Sequence, residues 1–200
     1  PTQEFKVRQR ILVKLCRNAL RPHPAIYTVK KKGALELAHL ALVMKAKGYF
    51  LGSLYIRSAF KSVNLELLES KLRRVGVSSS TYENFGLKPE KILITNSKKR
   101  YRGLPQGFSS SPKLYEFYLT EVLNRFTTSR SSKSIAIYVD DVFIFGRNSH
   151  ATAKMLYYFA KLLSQHDRST RIHSNHSDKS PKIYGPNEIW PVLGYKIGGE

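Results

Sequence analysis

Residues 135–146 read IAIYVDDVFIFG. Ten of these twelve residues suit a buried strand, but Asp140 and Asp141 put adjacent carboxylates in the middle. A continuous buried strand has no place for two unpaired acids. The pattern predicts two strands, Ile135 to Val139 and Val142 to Phe145, with a tight turn that carries both carboxylates at its tip. Aspartate in a tight turn is also ordinary backbone chemistry, because its side chain bonds the neighbouring main chain. The functional alternative is a magnesium site. Mg²⁺ takes hard oxygen ligands, one or two of them from protein carboxylates.

The acids are conspicuous because the chain has few. Its 200 residues carry 34 Lys plus Arg against 14 Asp plus Glu, a net charge of +20. Such a chain repels itself unless a polyanion shares the charge, so nucleic acid is the expected partner. Twelve Tyr and ten Phe supply apolar material for a core. The single Cys16 excludes an intrachain disulfide, which fits a reducing compartment or an organelle. No apolar run approaches the ~20 residues of a membrane span, so no membrane partner is expected. The chain opens at Pro1 inside a helix pattern, as a piece of a longer protein would.

Along the chain, Val7, Ile11, Leu12, Leu15 and Cys16 recur at helical spacing and predict a helix over 5–20 with these residues inward. Arg21-Pro22-His23-Pro24 ends it. A second helix pattern covers 34–47, and Gly48 to Ile56 reads as a buried strand. Asn64 is a candidate cap for a helix to about Val75. Ser78 to Tyr82 reads as a loop. Ile92 to Thr95 and Arg100 to Gly103 read as a hairpin. Pro112 can open a helix running to Phe126. A further helix is expected over 151–165, an irregular segment over 167–180, and one last strand over Trp190 to Gly198. Mixed helices and hairpins give an α+β class around a largely antiparallel sheet.

Several blocks then resemble, in order, those of reverse transcriptases. Tyr138-Val139-Asp140-Asp141 resembles the Tyr-x-Asp-Asp box. Gly103-Leu104-Pro105-Gln106-Gly107 with Ser111-Pro112 resembles the Leu-Pro-Gln-Gly…Ser-Pro block. Ile56 to Val63 is similar to the strand and steric-gate block, Asn175 to Lys179 to the Asn-x-x-Lys box, and Leu193-Gly194-Tyr195 to the strand near the primer terminus. The basic helix at 5–20 and Ala38-His39 are similar to the fingers region of retron and group II intron enzymes. The resemblance implies a reverse-transcriptase-like palm with partial fingers: a mainly antiparallel sheet packed on helices, without a thumb. It implies one domain over 1–200, fingers-like at 1–47 and about 76–102, palm-like at 48–75 and 103–200. It further implies that Asp140 and Asp141 are the catalytic, metal-holding acids. Phe60 would be the gate, Gln106 and Gly107 would lie against nucleotide and template, and Lys179 would approach the phosphates.

One departure matters. The family bridges two ions with a third acid, five residues before the gate, where this chain has Tyr55. A phenol is protonated at neutral pH, with a pKa of about 10, and brings no charge. No Asp or Glu occurs from Leu37 to Leu65, so shifting the alignment supplies none. Loss of a bridging anion removes several kcal/mol of transition-state stabilisation, at tenfold in rate per ~1.4 kcal/mol.

The expectation is therefore an inactive, RNA-binding relative that serves as a structural part of a ribonucleoprotein, an organellar ribosome or an intron-splicing complex, in an organelle such as the mitochondrion. Missing fingers and thumb parts would lie on other chains or outside this sequence. Candidate phosphate contacts are Arg10, Lys14, Arg17 and Arg21; Lys30, Lys31 and Lys32; Lys98, Lys99, Arg100 and Arg102; and Arg130 and Lys133. Tyr101 is a candidate for stacking on unpaired bases. The alternatives are an active RNA-directed DNA polymerase using Mg²⁺ at an unusual or partner-completed metal site, and an assembly protein whose old site packs only against protein.

Overall fold

The computed structural model describes residues 2–16, 18–28, 32–84, 103–128, 134–167, 171–172 and 180–198. The chain forms two compact units, one of residues 1–22 and 58–121, the other of 23–57 and 122–200.

The first unit is helical among its described residues. It contains α1 (Gln3–Leu15), α3 (Leu65–Arg74), α4 (Ser79–Asn84) and the start of α5 (Ser111–Thr127). Helix α3 begins where the sequence indicated. Asn64 accepts the Leu67 N–H at 3.1 Å, and Leu65, Leu68 and Leu72 are buried. Two expectations are corrected here. Ser79–Asn84 is a short helix, not a loop. Helix α1 ends at Leu15, and its apolar stripe does not face inward: Val7, Ile11 and Leu15 are exposed, whereas Gln9 is fully buried. The Ser109 hydroxyl donates to the Lys6 carbonyl at 3.3 Å and to Gln9 Oε1 at 3.4 Å. The inner side of the helix is mixed: Leu12, Val13 and Cys16 are half-buried beside Gln9, while Arg8, Arg10 and Lys14 are exposed, and the buried amide finds a partner in Ser109.

The second unit is built on a five-stranded sheet. Its strands are β1 (Phe50–Arg57), β2 (Ile135–Tyr138), β3 (Asp141–Gly146), β4 (Arg171–Ile172) and β5 (Lys182–Tyr184). The order is β2-β3-β1-β4, and β5 also pairs with β1. All these pairings are antiparallel. Strand β1 is central and buried on both faces, which suits its apolar run. One face is covered by α6 (Ser149–His166), started by Asn148, which accepts the Ala151 N–H at 2.7 Å. Gly52 allows the close approach: a Cβ there would lie 2.8 Å from both Thr152 and Leu156. On the other face α2 (Ala34–Ala46) joins the hairpin β6 (Trp190–Val192) and β7 (Tyr195–Ile197). Leu37, Ala41, Leu51, Phe143, Phe145, Trp190 and Val192 form that core.

The last segment was expected as one strand. It folds back on itself at Leu193-Gly194, both with positive φ (49° and 83°). Part of 167–180 is also regular, since β4 pairs Ile172 with Ile56. The expected hairpin at 92–103 lies outside the described residues, apart from Gly103. No helix among the described residues is long and apolar enough to cross a membrane.

Candidate functional site

Strands β2 and β3 put Val139 and Asp140 in a two-residue turn. Tyr138 pairs with Asp141 at its base. Val139 takes φ 56°, a region that a β-branched side chain rarely enters. The turn is held from outside as well: the Ile56 N–H donates to the Asp140 carbonyl at 2.9 Å. The turn thus falls one residue earlier than expected, with Asp140 in it and Asp141 the first residue of β3; both aspartates are half-buried.

The register of β1 on β3 puts Tyr55 directly opposite Asp141. The Tyr55 phenol donates a hydrogen bond to the Asp141 carboxylate. Burial first, then the negative charge of Asp141, the neighbouring Tyr184 phenol and the charge of Asp140 push the Tyr55 pKa above its usual 10.0. Tyr55 is thus a neutral donor at physiological pH. Alternation along the strands puts Tyr55 and Asp141 on the sheet face opposite the one that Gly52 and Gly146 present to α6.

A two-ion phosphoryl-transfer clamp needs an acid set from both sides of the ions. The carboxylates present are Asp140 and Asp141, and where the third would stand is a phenol that occupies one of them. Among the described residues no group of three or more His, Cys, Asp or Glu is placed to hold a metal ion. These residues do not fit a complete two-ion clamp.

The first unit assembles a second set. The Leu104 N–H donates to the Phe60 carbonyl at 2.7 Å, so the Gly103–Gly107 segment lies along Phe60. Gly103 has φ 90°, and a Cβ there would meet Phe60 O at 2.5 Å. Ser111 Oγ donates to the Pro105 carbonyl at 2.6 Å and closes the segment onto the start of α5. Phe60 is half-buried, its ring 5.2 Å from that of Tyr115. Gln106 and Gly107 are exposed, Gly107 with φ 85°.

The basic candidates divide. Arg10, Lys14 and Arg21 are exposed. Lys32 is half-buried, donates to the Pro24 carbonyl at 2.7 Å and sits 5.3 Å from the Tyr27 ring centre. Arg17, Lys30, Lys31, Lys98, Lys99, Arg100, Tyr101, Arg102, Arg130, Lys133 and Lys179 lie outside the described residues. The resemblance set position 55 on the strand opposite the two aspartates; what the sequence left open is that Tyr55 pairs with Asp141 in particular, because no local signal encodes the register of two strands more than eighty residues apart. Sequence reading passed over the exposed face of α6, taken up below.

A family model described as reverse transcriptase (RNA-dependent DNA polymerase) matches residues 1–179. No curated protein matches. Among solved structures, apo telomerase from Candida tropicalis, truncated from its C-terminal domain, is similar with a TM-score of 0.62 at 15% identity, covering 96% of this chain and 43% of that one. Telomerase from Candida albicans in complex with a TWJ fragment of telomeric RNA gives 0.61 at 12% identity, with 96% and 37% covered. Apo telomerase from Candida tropicalis gives 0.59 at 11% identity, with 91% and 36% covered. The chain spans less than half the length of each of these structures, and at such identities the likeness is one of fold.

Proposed function

Because the chain belongs to the reverse transcriptase family, we propose that it is a nucleic-acid-binding protein of that fold that grips RNA without copying it, as a structural part of a ribonucleoprotein. The observation that carries this reading is the Tyr55 phenol bonded to Asp141. It stands where the family's bridging acid is expected, and it is neutral and hydrogen-bonded to a carboxylate that an ion would need. The charge of +20 supports the nucleic-acid half of the reading. So does the similar Candida albicans structure, which holds telomeric RNA. The setting proposed is an organelle, with the mitochondrion first, and a ribosomal or intron RNA as the ligand.

Primed RNA, dNTPs and Mg²⁺ or Mn²⁺ test the reading. The chain should bind the template with an affinity that falls steeply with salt and should leave the primer unextended. Extension that disappears in Asp140→Asn would overturn it. That result would favour the second reading, an active polymerase whose metal site a partner completes. The observation on its side is that Asp140, in the hairpin turn, and Asp141, at its base, are adjacent and supported by β1. Sedimentation with large RNA-containing particles that collapses on ribonuclease treatment is expected if the protein is part of a ribonucleoprotein.

A further inference from the structure

Helix α6 has eighteen residues, SHATAKMLYYFAKLLSQH, without an Asp or Glu among them. Its inner face is apolar: Leu156, Phe159, Leu162 and Leu163 are buried. His150, Lys154, Tyr157 and Lys161 follow one another at intervals of four, three and four and therefore lie in one stripe. All four are exposed, and Tyr157 is 73% exposed between the two lysines.

Basic helix faces are ordinary when they carry acidic partners one turn away. Three basic side chains on other helices have such a partner. Arg8 pairs with Glu4 at 2.6 Å, Arg73 with Glu69 at 2.6 Å and Lys113 with Glu116 at 2.5 Å. On α6, which has no acid to offer one, neither Lys154 nor Lys161 has an ion-pair partner among the described residues. A large aromatic side chain left in water between two unneutralised ammonium groups is the arrangement that a nucleic acid strand satisfies. Phosphates neutralise the lysines, and an unpaired base covers the ring.

We propose that the outer face of α6 is a binding site for single-stranded nucleic acid, with Lys154, Lys161 and His150 on the phosphates and Tyr157 stacked on a base. The stripe from His150 to Lys161 covers about 16 Å of helix axis, at ~1.5 Å per residue, enough for several nucleotides laid along it. It lies across the sheet from Tyr55 and Asp141, because α6 packs on the face that Gly52 and Gly146 present and these two residues, at odd positions on the same strands, face the other way. The site is thus separate from the family's nucleotide-joining centre. It holds a strand even where that centre is inactive. The proposal rests on the nucleic-acid-binding reading given above.

The test is fluorescence anisotropy on the full chain with labelled twelve-nucleotide oligouridylate and oligothymidylate, over a series of salt concentrations. Lys154→Gln with Lys161→Gln should weaken binding about tenfold at low salt and flatten the salt slope by about 1.4, the loss of two contacts on a single strand. Tyr157→Ala should weaken binding at least about fivefold, and Tyr157→Phe should keep it within about twofold, because a ring and not a hydroxyl does the stacking. Circular dichroism of each variant should match the parent, since all three side chains are exposed. A drop on either probe supports the site. If the parent binds with a steep salt dependence and the variants bind equally well, the α6 site is overturned and the general RNA-binding reading stands. If the parent binds neither probe, the α6 site falls, and the primed-RNA assay decides the general reading by itself.

Discussion

Tyr55 and Asp141 face each other across the β1–β3 ladder, the phenol donating to the carboxylate. A neutral donor at this point stabilises one ionised acid without adding charge of its own. The Tyr55→Asp variant replaces that donor with a third carboxylate. In metal-free buffer it should unfold at a lower temperature than the parent, from like-charge repulsion at close range. Added Mg²⁺ or Mn²⁺ should raise its midpoint by several degrees and leave the parent nearly unchanged, because an ion that binds only the folded form shifts the equilibrium by mass action. Equal responses in parent and variant would show that the three positions do not converge on a cation.

Val139 stores strain. Its φ of 56° is uncommon for any residue with a Cβ and costs about 1–3 kcal/mol when β-branched. Glycine relieves that strain and gives back part of the gain through chain entropy, about 0.5–1 kcal/mol. Val139→Gly should therefore stabilise the chain by about 1 kcal/mol in urea titration. A destabilised variant would mean that the half-buried valine side chain contributes more than its backbone costs.

Lys71 is buried, with its side chain 7% exposed, yet it is charged. It reaches Glu121 at 2.7 Å, donates to the Tyr118 carbonyl at 3.3 Å and lies 5.4 Å from the Tyr118 ring centre. Burial pulls its pKa below 10.5 and Glu121 pulls it back. Glu121→Ala leaves the ammonium without its counter-ion and should cost about 1–2 kcal/mol, less than for a fully buried pair because Glu121 is 51% exposed. Lys71→Met removes the charge together with its desolvation cost and should be close to neutral. Chemical denaturation of both variants decides it; the reverse order would show that the lysine stabilises by its charge.

His23 gives the fold a pH dependence. Its Nδ1 accepts the Ala25 N–H at 3.1 Å, and Nε2 lies 3.3 Å from the Thr127 hydroxyl. The ring must be neutral to accept. Burial, then the charge of Lys32, lowers its pKa from 6.5. A folded-state pKa below the unfolded one means that the unfolded chain binds the proton more readily. The contribution of His23 is therefore complete above pH 6.5 and is lost as pH falls toward the folded value. Urea midpoints should drop between pH 7.5 and 5.5, and His23→Gln should show a smaller drop. An identical slope in the variant would assign the effect to other groups.

The hairpin with its two aspartates was legible in the sequence, because acids inside an apolar run leave the chain nowhere to go but a turn. So were α3, where a cap and a period agree, and the α+β class. Local chemistry encodes these features within a few residues. What the sequence left open was direction and register. The period of α1 shows that Val7, Ile11 and Leu15 share a face but not which face a neighbour will take; Ser109 and Gln9 settled that by hydrogen bonding. The run 190–198 broke at Leu193-Gly194 because a return on the sheet buried Trp190 and Val192 together. The sequence shows that a tyrosine stands at position 55, opposite the aspartates by resemblance. Only the pairing of β1 with β3 brings its hydroxyl to Asp141, since strand register depends on every side chain along the ladder and not on the residue itself.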